Sequence, residues 1–162
     1  MCSSDLLNGG AGNDTYVVDA VGDVVTESSA SFGTDTVQSS VSFTLDTWIE
    51  HLQLTGSGAV NGTGNALGNQ LRGNDGANVL DGGAGNDTLT GGNGNDTYVV
   101  DATGDVVSET SATGGTDTVR SSVSWTLGSN LEHLVLTGTA ADRKSTRLNS
   151  SHSQQSRMPS SA

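Results

Sequence analysis

The chain of 162 residues is acidic and poor in the side chains that fill an ordinary globular core. Lys and Arg number 6 against 18 Asp and Glu, a formal net charge of −12, and only 32% of the residues are hydrophobic and 4% aromatic. Such a chain is a poor partner for nucleic acid or an anionic membrane surface, and cations are its natural partners. The single cysteine, Cys2, excludes an intrachain disulfide framework and a cysteine-based zinc site.

No segment approaches the roughly 20 apolar residues that a membrane span requires. The first residues lack the basic region and apolar stretch of a signal peptide. We therefore expect no membrane span, and we expect any export signal to lie outside these residues.

The composition changes abruptly at both ends of the chain. The tail, residues 142–162, loses glycine and gains Arg, Lys, Ser and Gln, and it resembles the translation of a sequencing-library adapter, as do residues 1–6. We therefore set both ends apart from the fold and predict that the tail is disordered. The body between them has two basic residues, Arg72 and Arg120, against 16 acidic ones, a formal charge of −14.

A long repeat organises the body. Residues 8–56 and 90–138 align without a gap at an offset of 82, with about 35 of 49 positions identical. Self-similarity at a fixed period indicates a repeat architecture. We divide the body into a first long unit (7–63, with nonapeptide turns at 9–25 followed by strands), a tandem nonapeptide block (64–108) and the strands of a second long unit (109–141).

Apolar and polar residues alternate in the parts of both long units that lie outside the nonapeptides. This pattern predicts longer half-buried strands, which extend the repeat stack or pack beside it. The apolar positions are Val37, Val41, Phe43, Leu45, Leu52 and Leu54 in the first unit, and Val119, Val123, Trp125, Leu127, Leu131, Leu134 and Leu136 in the second.

The tandem block consists of five nonapeptides: GNALGNQLR, GNDGANVLD, GGAGNDTLT, GGNGNDTYV and VDATGDVVS. Glycine opens the first four, Asn or Asp fills the sixth place, and Leu, Tyr or Val fills the eighth. Nine residues are too few for a helix with a turn at each end, but they suit a tight glycine turn followed by a short strand. One such unit buries almost nothing, so successive turns must stack. The sequence predicts an all-β parallel β-roll, or β-solenoid, with a ladder of apolar side chains inside.

Three nonapeptides, at 9–17, 82–90 and 91–99, match the pattern GGxGxDxUx, where U is a large apolar residue. Ca²⁺ takes six to eight oxygen ligands, which a glycine-rich turn supplies through its backbone carbonyls and an aspartate through its carboxylate. These repeats resemble those of RTX (haemolysin-type) calcium-binding proteins, and the resemblance covers essentially all of residues 7–141. It implies a β-roll built from calcium-binding nonapeptide repeats, with Ca²⁺ as the bound ion.

The resemblance also implies that two nonapeptides complete one coil, so that turns eighteen residues apart stack and share an ion. The turn at 73–78 would face 91–96, and the turn at 82–87 would lie between 64–69 and 100–105, which gives two sites, or three. Asn69 and Asn78 stand where aspartate is expected, and residues 100–105 lack the glycine pair, so sites there should be weaker or vacant, with Asp75 as a substitute ligand. The candidate calcium ligands are Gly9, Gly10, Gly12, Asp14 and Asp23 in the first unit, and Gly73, Asp75, Asn78, Gly82, Gly83, Gly85, Asp87, Gly91, Gly92, Gly94, Asp96 and Asp105 in the tandem block.

Nothing in the sequence indicates an enzyme active site. There is no GxSxG elbow, phosphate loop or EF-hand spacing, and His51 and His133 follow glutamate as EH, not as HExxH. The resemblance implies a calcium-dependent structural module of a secreted or cell-surface protein of a Gram-negative bacterium, adhesin-like and exported by type I secretion machinery. The alternative is the secretion and folding module of an exoenzyme (metalloprotease or lipase) or a pore-forming toxin. A third hypothesis is a piece with no independent fold, which could self-associate through open solenoid ends.

Overall fold

The computed structural model describes residues 4–27, 33–110 and 114–138 and the backbone of 145–146. These residues form short β-strands joined by tight turns, with no helix among them, so no described helix could cross a membrane. The all-β prediction is confirmed. The strands are β1 (Leu6–Leu7), β2 (Thr15–Val18), β3 (Val24–Val25), β4 (Thr36–Ser39), β5 (Phe43–Thr44), β6 (His51–Leu54), β7 (Gly62–Thr63), β8 (Gln70–Arg72), β9 (Val79–Asp81), β10 (Thr88–Thr90), β11 (Thr97–Val100), β12 (Val106–Ser108), β13 (Thr118–Ser121), β14 (Trp125–Thr126), β15 (His133–Leu136) and β16 (Ser145–Thr146).

Two six-stranded parallel sheets make up the body. The first sheet has the order β12-β10-β8-β6-β4-β2, and the second has the order β15-β13-β11-β9-β7-β5. From β4 to β13 successive strands alternate between these two sheets, so the chain coils as it advances, and β1-β3 and β14-β16 form two further two-stranded sheets. This is the parallel β-solenoid that the nonapeptide period predicts.

The strand register shows how much chain one coil takes. In the nonapeptide block Thr88 pairs with Gln70 on one side and with Val106 on the other, a spacing of eighteen residues. The next coil of the second sheet, from Thr97 to Thr118, takes 21 residues, and the following one, from Thr118 to His133, takes 15. The first of these coils is three residues longer than a regular coil and the second is three residues shorter. Together they are therefore as long as two regular coils.

Apolar side chains form an inward ladder between the sheets. Leu52, Leu71 and Leu89 are in register in the first sheet, and all three are at most 1% exposed. In the second sheet Leu80, Tyr98 and Val119 form the corresponding row. Burying one such side chain contributes on the order of 1.5–3 kcal/mol, so the coils depend on one another for stability.

The alternating apolar segments extend the solenoid, but the prediction of longer strands within them is wrong. The segment from Val37 to Leu45 is split between β4 in one sheet and β5 in the other. A corner separates them, where the Ser39 hydroxyl donates to the Val41 carbonyl at 2.7 Å and accepts the Val41 N–H. The serine side chain satisfies backbone groups that a continuous strand would pair with a neighbour.

The 82-residue repeat places its two copies on opposite sheets. The strand equivalent to β2 in the second copy is β11. Because β11 comes nine strands later, an odd number, Tyr16 lies in the first sheet and Tyr98 in the second. Equivalent turns of the two long units therefore lie at opposite edges of the solenoid.

Parts of the two chain ends pair with the body. In β1, Leu6 pairs with Val24, and in β16, Ser145 pairs with Trp125. Residues 1–3 and the rest of the tail lie outside the described residues, so the adapter origin of the ends and the disorder of the tail stay predictions.

Candidate metal centre

Two rows of carboxylate and amide side chains follow the edges of the solenoid, each member immediately preceding a strand. The first row, before strands of the first sheet, contains Asp14, Asp35, Glu50, Asn69, Asp87 and Asp105, and the second row contains Asp5, Asp23, Asn78, Asp96, Asp117 and Glu132. In both rows backbone N–H groups donate to side-chain oxygens of the next coil. Along the second row, the N–H of Asn78 donates to Asp96 Oδ1 at 2.8 Å and the N–H of Asp96 donates to Asp117 Oδ1 at 2.8 Å. One carboxylate oxygen thus joins two coils, and the other is left for a different partner.

Each long unit gathers three carboxylates into a triad. Asp96, Glu109 and Asp117 each offer an oxygen atom, and these atoms lie within 4.8 Å of one another. All three side chains are buried. We call this set the second triad. Asp14, Glu27 and Asp35, each 82 residues earlier, form the first triad with the same criterion met.

A tyrosine and a glycine position the glutamate of each triad. The Tyr98 hydroxyl donates to Glu109 Oε2 at 2.6 Å and accepts the N–H of Gly91 at 2.9 Å. A Cβ at Gly91 would collide with the Asp96 carboxylate and the Tyr98 hydroxyl, so the first glycine of the motif provides space for the acidic group. Burial, followed by the hydrogen bond to Glu109, raises the pKa of Tyr98, so the hydroxyl keeps its proton and remains a donor.

Several carboxylate oxygens at these edges have no hydrogen-bond partner within the described residues. They are Asp14 Oδ2, Glu27 Oε2, Asp87 Oδ2 and Asp96 Oδ2, all buried. A buried charged oxygen without a partner is strongly destabilising unless a cation or proton meets it. Oxygen-only donors with this much negative charge fit a hard divalent cation, which supplies the missing counter-charge.

Burial also changes how these groups titrate. The pKa of Asp96 is raised to about 6, mainly because the carboxyl is buried; the Asn78 N–H opposes the rise, and the charges of Asp117 and Glu109 add to it. The pKa of Asp87 is raised to about 6 for the same main reason. Without a cation, both carboxyls are more easily protonated than aspartate in an unfolded chain.

These shifts predict an unusual pH dependence of stability without calcium. Because the folded pKa values of Asp87 and Asp96 lie above the unfolded value, their stabilising contribution is present below about pH 4 and is lost as the pH rises through about 6. We expect the calcium-free chain to contain more β-structure near pH 5 than near pH 7.5, as measured by circular dichroism. In millimolar calcium the order should reverse, because protons displace the ion. A content of β-structure that rises with pH in calcium-free buffer would contradict the assignment.

The structure stacks the predicted turns as their eighteen-residue spacing requires, but their aspartates differ. Asp14, Asp87 and Asp96 each keep one unpartnered oxygen. In contrast, Asp105 uses both oxygens on backbone N–H groups, Oδ1 on Asp87 and Oδ2 on Asp101 and Ala102. Asp23 is bonded in the same way, to Asp5, Asp19 and Ala20.

The remaining candidate ligands lie in the turns themselves. Asp75 is exposed and accepts from Asn93 Nδ2 at 2.8 Å, and Asn78 donates its amide to the Val60 carbonyl. Positive φ angles at Gly83 (78°) and Gly92 (112°) show that the second glycine of the motif needs a backbone that other residues rarely adopt. Ion binding by the individual turns stays a prediction. The other predicted glycine ligands, Gly9, Gly10, Gly12, Gly73, Gly82, Gly85, Gly91 and Gly94, lie in the same stacked turns.

Sequence reasoning missed the glutamates and the second aspartates of both triads: Glu27, Asp35, Glu109 and Asp117. They lie outside the motif, but a signal was available. Glu109 stands eighteen residues after Gly91, where the first glycine of the next coil would be. Asp117 stands 21 residues after Asp96, across the three-residue insertion. Following the coil period beyond the last motif would have brought them together.

Comparison with known proteins agrees with this geometry. The family model for the RTX calcium-binding nonapeptide repeat matches four copies, at residues 3–25 and 63–98. Neither the curated proteins nor the solved structures include a match to the chain. The matched residues contain the glycine turns and the aspartates Asp14, Asp87 and Asp96 of the edge rows. The chain therefore contains RTX-type calcium-binding nonapeptide repeats and is folded as a parallel β-solenoid.

Proposed function

We propose that this chain is a structural module whose solenoid is completed by Ca²⁺ bound at its acidic edges. The observation that carries the proposal is the pair of carboxylate triads with buried, unpartnered oxygens. The second triad, with the carbonyls of the turn at 91–96, would hold one ion. The first triad, with the turn at 9–14, would hold another, and Asp87 would serve a site between neighbouring turns.

Electrostatics gives the reason that folding and binding are coupled. Two carboxylates about 4–5 Å apart near a protein surface repel each other by on the order of 3 kcal/mol. Each triad contains three carboxylates at such distances. Folding without a cation therefore has to overcome this repulsion together with the desolvation of the buried groups. An ion that binds the folded chain alone adds its binding free energy to the folding free energy.

Calcium fits these edges better than magnesium does. Ca²⁺ accepts six to eight oxygen ligands in flexible geometry, whereas Mg²⁺ demands a near-octahedral shell and usually keeps several waters. A buried site made of carboxylates from separate coils supplies many protein oxygens and little room for water. We therefore expect calcium to drive the transition and magnesium to do so weakly.

This chemistry suits a protein that is exported unfolded and folds outside the cell. At low cytosolic calcium the like charges favour the unfolded chain, and millimolar extracellular calcium favours the solenoid. We place the module in a secreted or cell-surface protein of a Gram-negative bacterium, exported by type I secretion machinery. The 82-residue repeat supports a non-catalytic, stalk-like or adhesive role, because stacked units build extended arrays.

The test is a calcium titration of the full chain followed by far-ultraviolet circular dichroism, with magnesium at the same concentrations as the control. A cooperative gain of β-structure with calcium alone is the expected result. A spectrum that is fully β in the presence of chelator and unchanged by calcium would overturn the proposed coupling.

A further inference from the structure

Two consecutive nonapeptides in the middle of the solenoid carry asparagines where their neighbours carry glycine and aspartate. At the second place, Asn65 and Asn74 stand where the next two repeats have Gly83 and Gly92. At the sixth place, Asn69 and Asn78 stand where those repeats have Asp87 and Asp96. The middle turns therefore lack the carboxylates that mark the flanking ones.

The first pair, Asn65 and Asn69, bonds to carbonyls of the preceding coil. Asn65 Nδ2 donates to the carbonyls of Asp46 at 2.6 Å and Ile49 at 2.8 Å. Asn69 Nδ2 donates to Ile49 at 3.0 Å and to Glu50 at 3.3 Å. The Asn69 side chain also bonds to the Asn65 backbone, because Asn69 Oδ1 accepts the backbone N–H of Asn65 at 2.7 Å.

The second pair, Asn74 and Asn78, repeats this arrangement on the opposite edge. Asn74 Nδ2 donates to the carbonyls of Thr55 at 2.9 Å and Gly58 at 3.0 Å, and Asn78 Nδ2 donates to Val60 at 2.6 Å. Asn78 Oδ1 accepts the Asn74 N–H at 2.9 Å. Both edges of the middle coils thus end in the same two-asparagine arrangement.

The asparagine amides of the middle turns have hydrogen-bond partners for their polar atoms, whereas the aspartates of the flanking turns leave a buried oxygen without one. Asn69 and Asn78 are at most 2% exposed, yet their side-chain oxygen and nitrogen atoms all have partners. Asp87 and Asp96, one coil further on, each keep a buried oxygen with none. A neutral amide carries its own donor, so the stack closes there without a counter-ion.

We infer that Asn65, Asn69, Asn74 and Asn78 replace calcium in the middle coils, so that the segment from about 46 to 81 closes without metal. The inward side chains Ile49, Leu52, Leu71 and Leu80 of this segment are almost completely buried and form the middle of the continuous apolar core. The segment would provide a template on which the acidic coils on either side add when calcium arrives. The contrast with those coils rests on the calcium sites proposed for them.

Hydrogen exchange of the full chain, read by mass spectrometry in chelator and in millimolar calcium, tests the inference. In chelator the amides of β6 to β9 should exchange on the order of tenfold or more slowly than those of β2, β4, β11 and β13. Calcium should then protect the flanking strands and change the middle ones little. If β6 to β9 and the flanking strands were all unprotected in chelator and all protected in calcium, the inference would be overturned and the proposed function would stand.

A matched pair of variants distinguishes this inference from the proposed calcium-dependent folding. The double variant Asn69→Asp, Asn78→Asp keeps the acceptor oxygens, removes the amide donors and adds charge, so β6 to β9 should lose protection in chelator. The control Asn61→Asp adds the same kind of charge at an exposed position in the same coils, where Asn61 Oδ1 accepts the Val79 N–H at 2.9 Å and a carboxylate oxygen can do so too. Protection unchanged in the double variant would overturn the inference. Equal protection of all strands with and without calcium in the parent chain, lost in the double variant, would overturn the proposed function and uphold the inference.

Discussion

The double variant Asp96→Asn, Asp117→Asn is expected to be more stable than the parent chain in chelator and to respond less to calcium. Asparagine keeps the Oδ1 atoms that accept the N–H groups of Asn78 and Asp96, but it removes two of the three charges of the second triad. Loss of the like-charge repulsion stabilises the metal-free fold, whereas loss of charged ligands should weaken calcium binding there by on the order of tenfold or more, about 1.4 kcal/mol. Circular dichroism measures both effects, as the β-content in chelator and as the calcium concentration at the midpoint of the calcium-driven transition.

The matched control for this variant is Asp75→Asn. Asp75 is also an aspartate of a nonapeptide turn, but it is exposed, and its Oδ1 accepts from Asn93. Its stability in both buffers should follow the parent chain, since surface substitutions of this kind usually change stability by less than about 0.5 kcal/mol. If the double variant kept the full calcium response, or lost stability in chelator, the second triad would not be the ion site.

Replacing Leu71 by alanine should produce the largest loss of stability, with or without calcium. Leu71 is completely buried and lies in register between Leu52 and Leu89, so the cavity would open between three consecutive coils of the first sheet. Leucine-to-alanine changes at such sites cost about 2–5 kcal/mol, a large fraction of the 5–15 kcal/mol typical of a domain. Denaturant unfolding in calcium, where the whole solenoid is folded, measures the loss.

The control for the core variant is Val79→Ala on the adjacent half-coil. Val79 points outward and is 38% exposed, so its truncation opens no cavity. We expect a cost below about 1 kcal/mol. Equal losses for the two variants would show that the inward ladder is not the main apolar support of the fold.

The nonapeptide period was sufficient to predict the β-solenoid, because position in the repeat decides which side chain points inward. Leu71, Leu80 and Leu89 occupy the eighth place of their repeats, and each is fully buried. Periodicity failed at the corner between β4 and β5, where the hydroxyl of Ser39 ends a strand that alternation alone would continue. A local hydrogen bond of this kind leaves no trace in a pattern of apolar residues.

The metal centre could be predicted only in part, since its ligands come from inside and outside the motif. Asp96 could be predicted as a ligand from the motif GGxGxD. Glu109 could be recognised only from the structure, in which the coil places its carboxylate next to the Tyr98 hydroxyl. The sequence also suggested that Asn78 weakens a site, but not that its amide donates to the Val60 carbonyl. Those contacts depend on the lengths of neighbouring coils, and the 21- and 15-residue coils are not visible in the motif itself.

The most direct test of calcium binding at the triads is a crystal structure of the full chain grown in calcium, with anomalous scattering used to locate the ions. The predicted result is an ion bound by Asp96, Glu109 and Asp117, with oxygen distances of about 2.3–2.6 Å, and a second ion at Asp14, Glu27 and Asp35. Ordered solenoid coils with no anomalous peak at either triad, in crystals saturated with calcium, would contradict it.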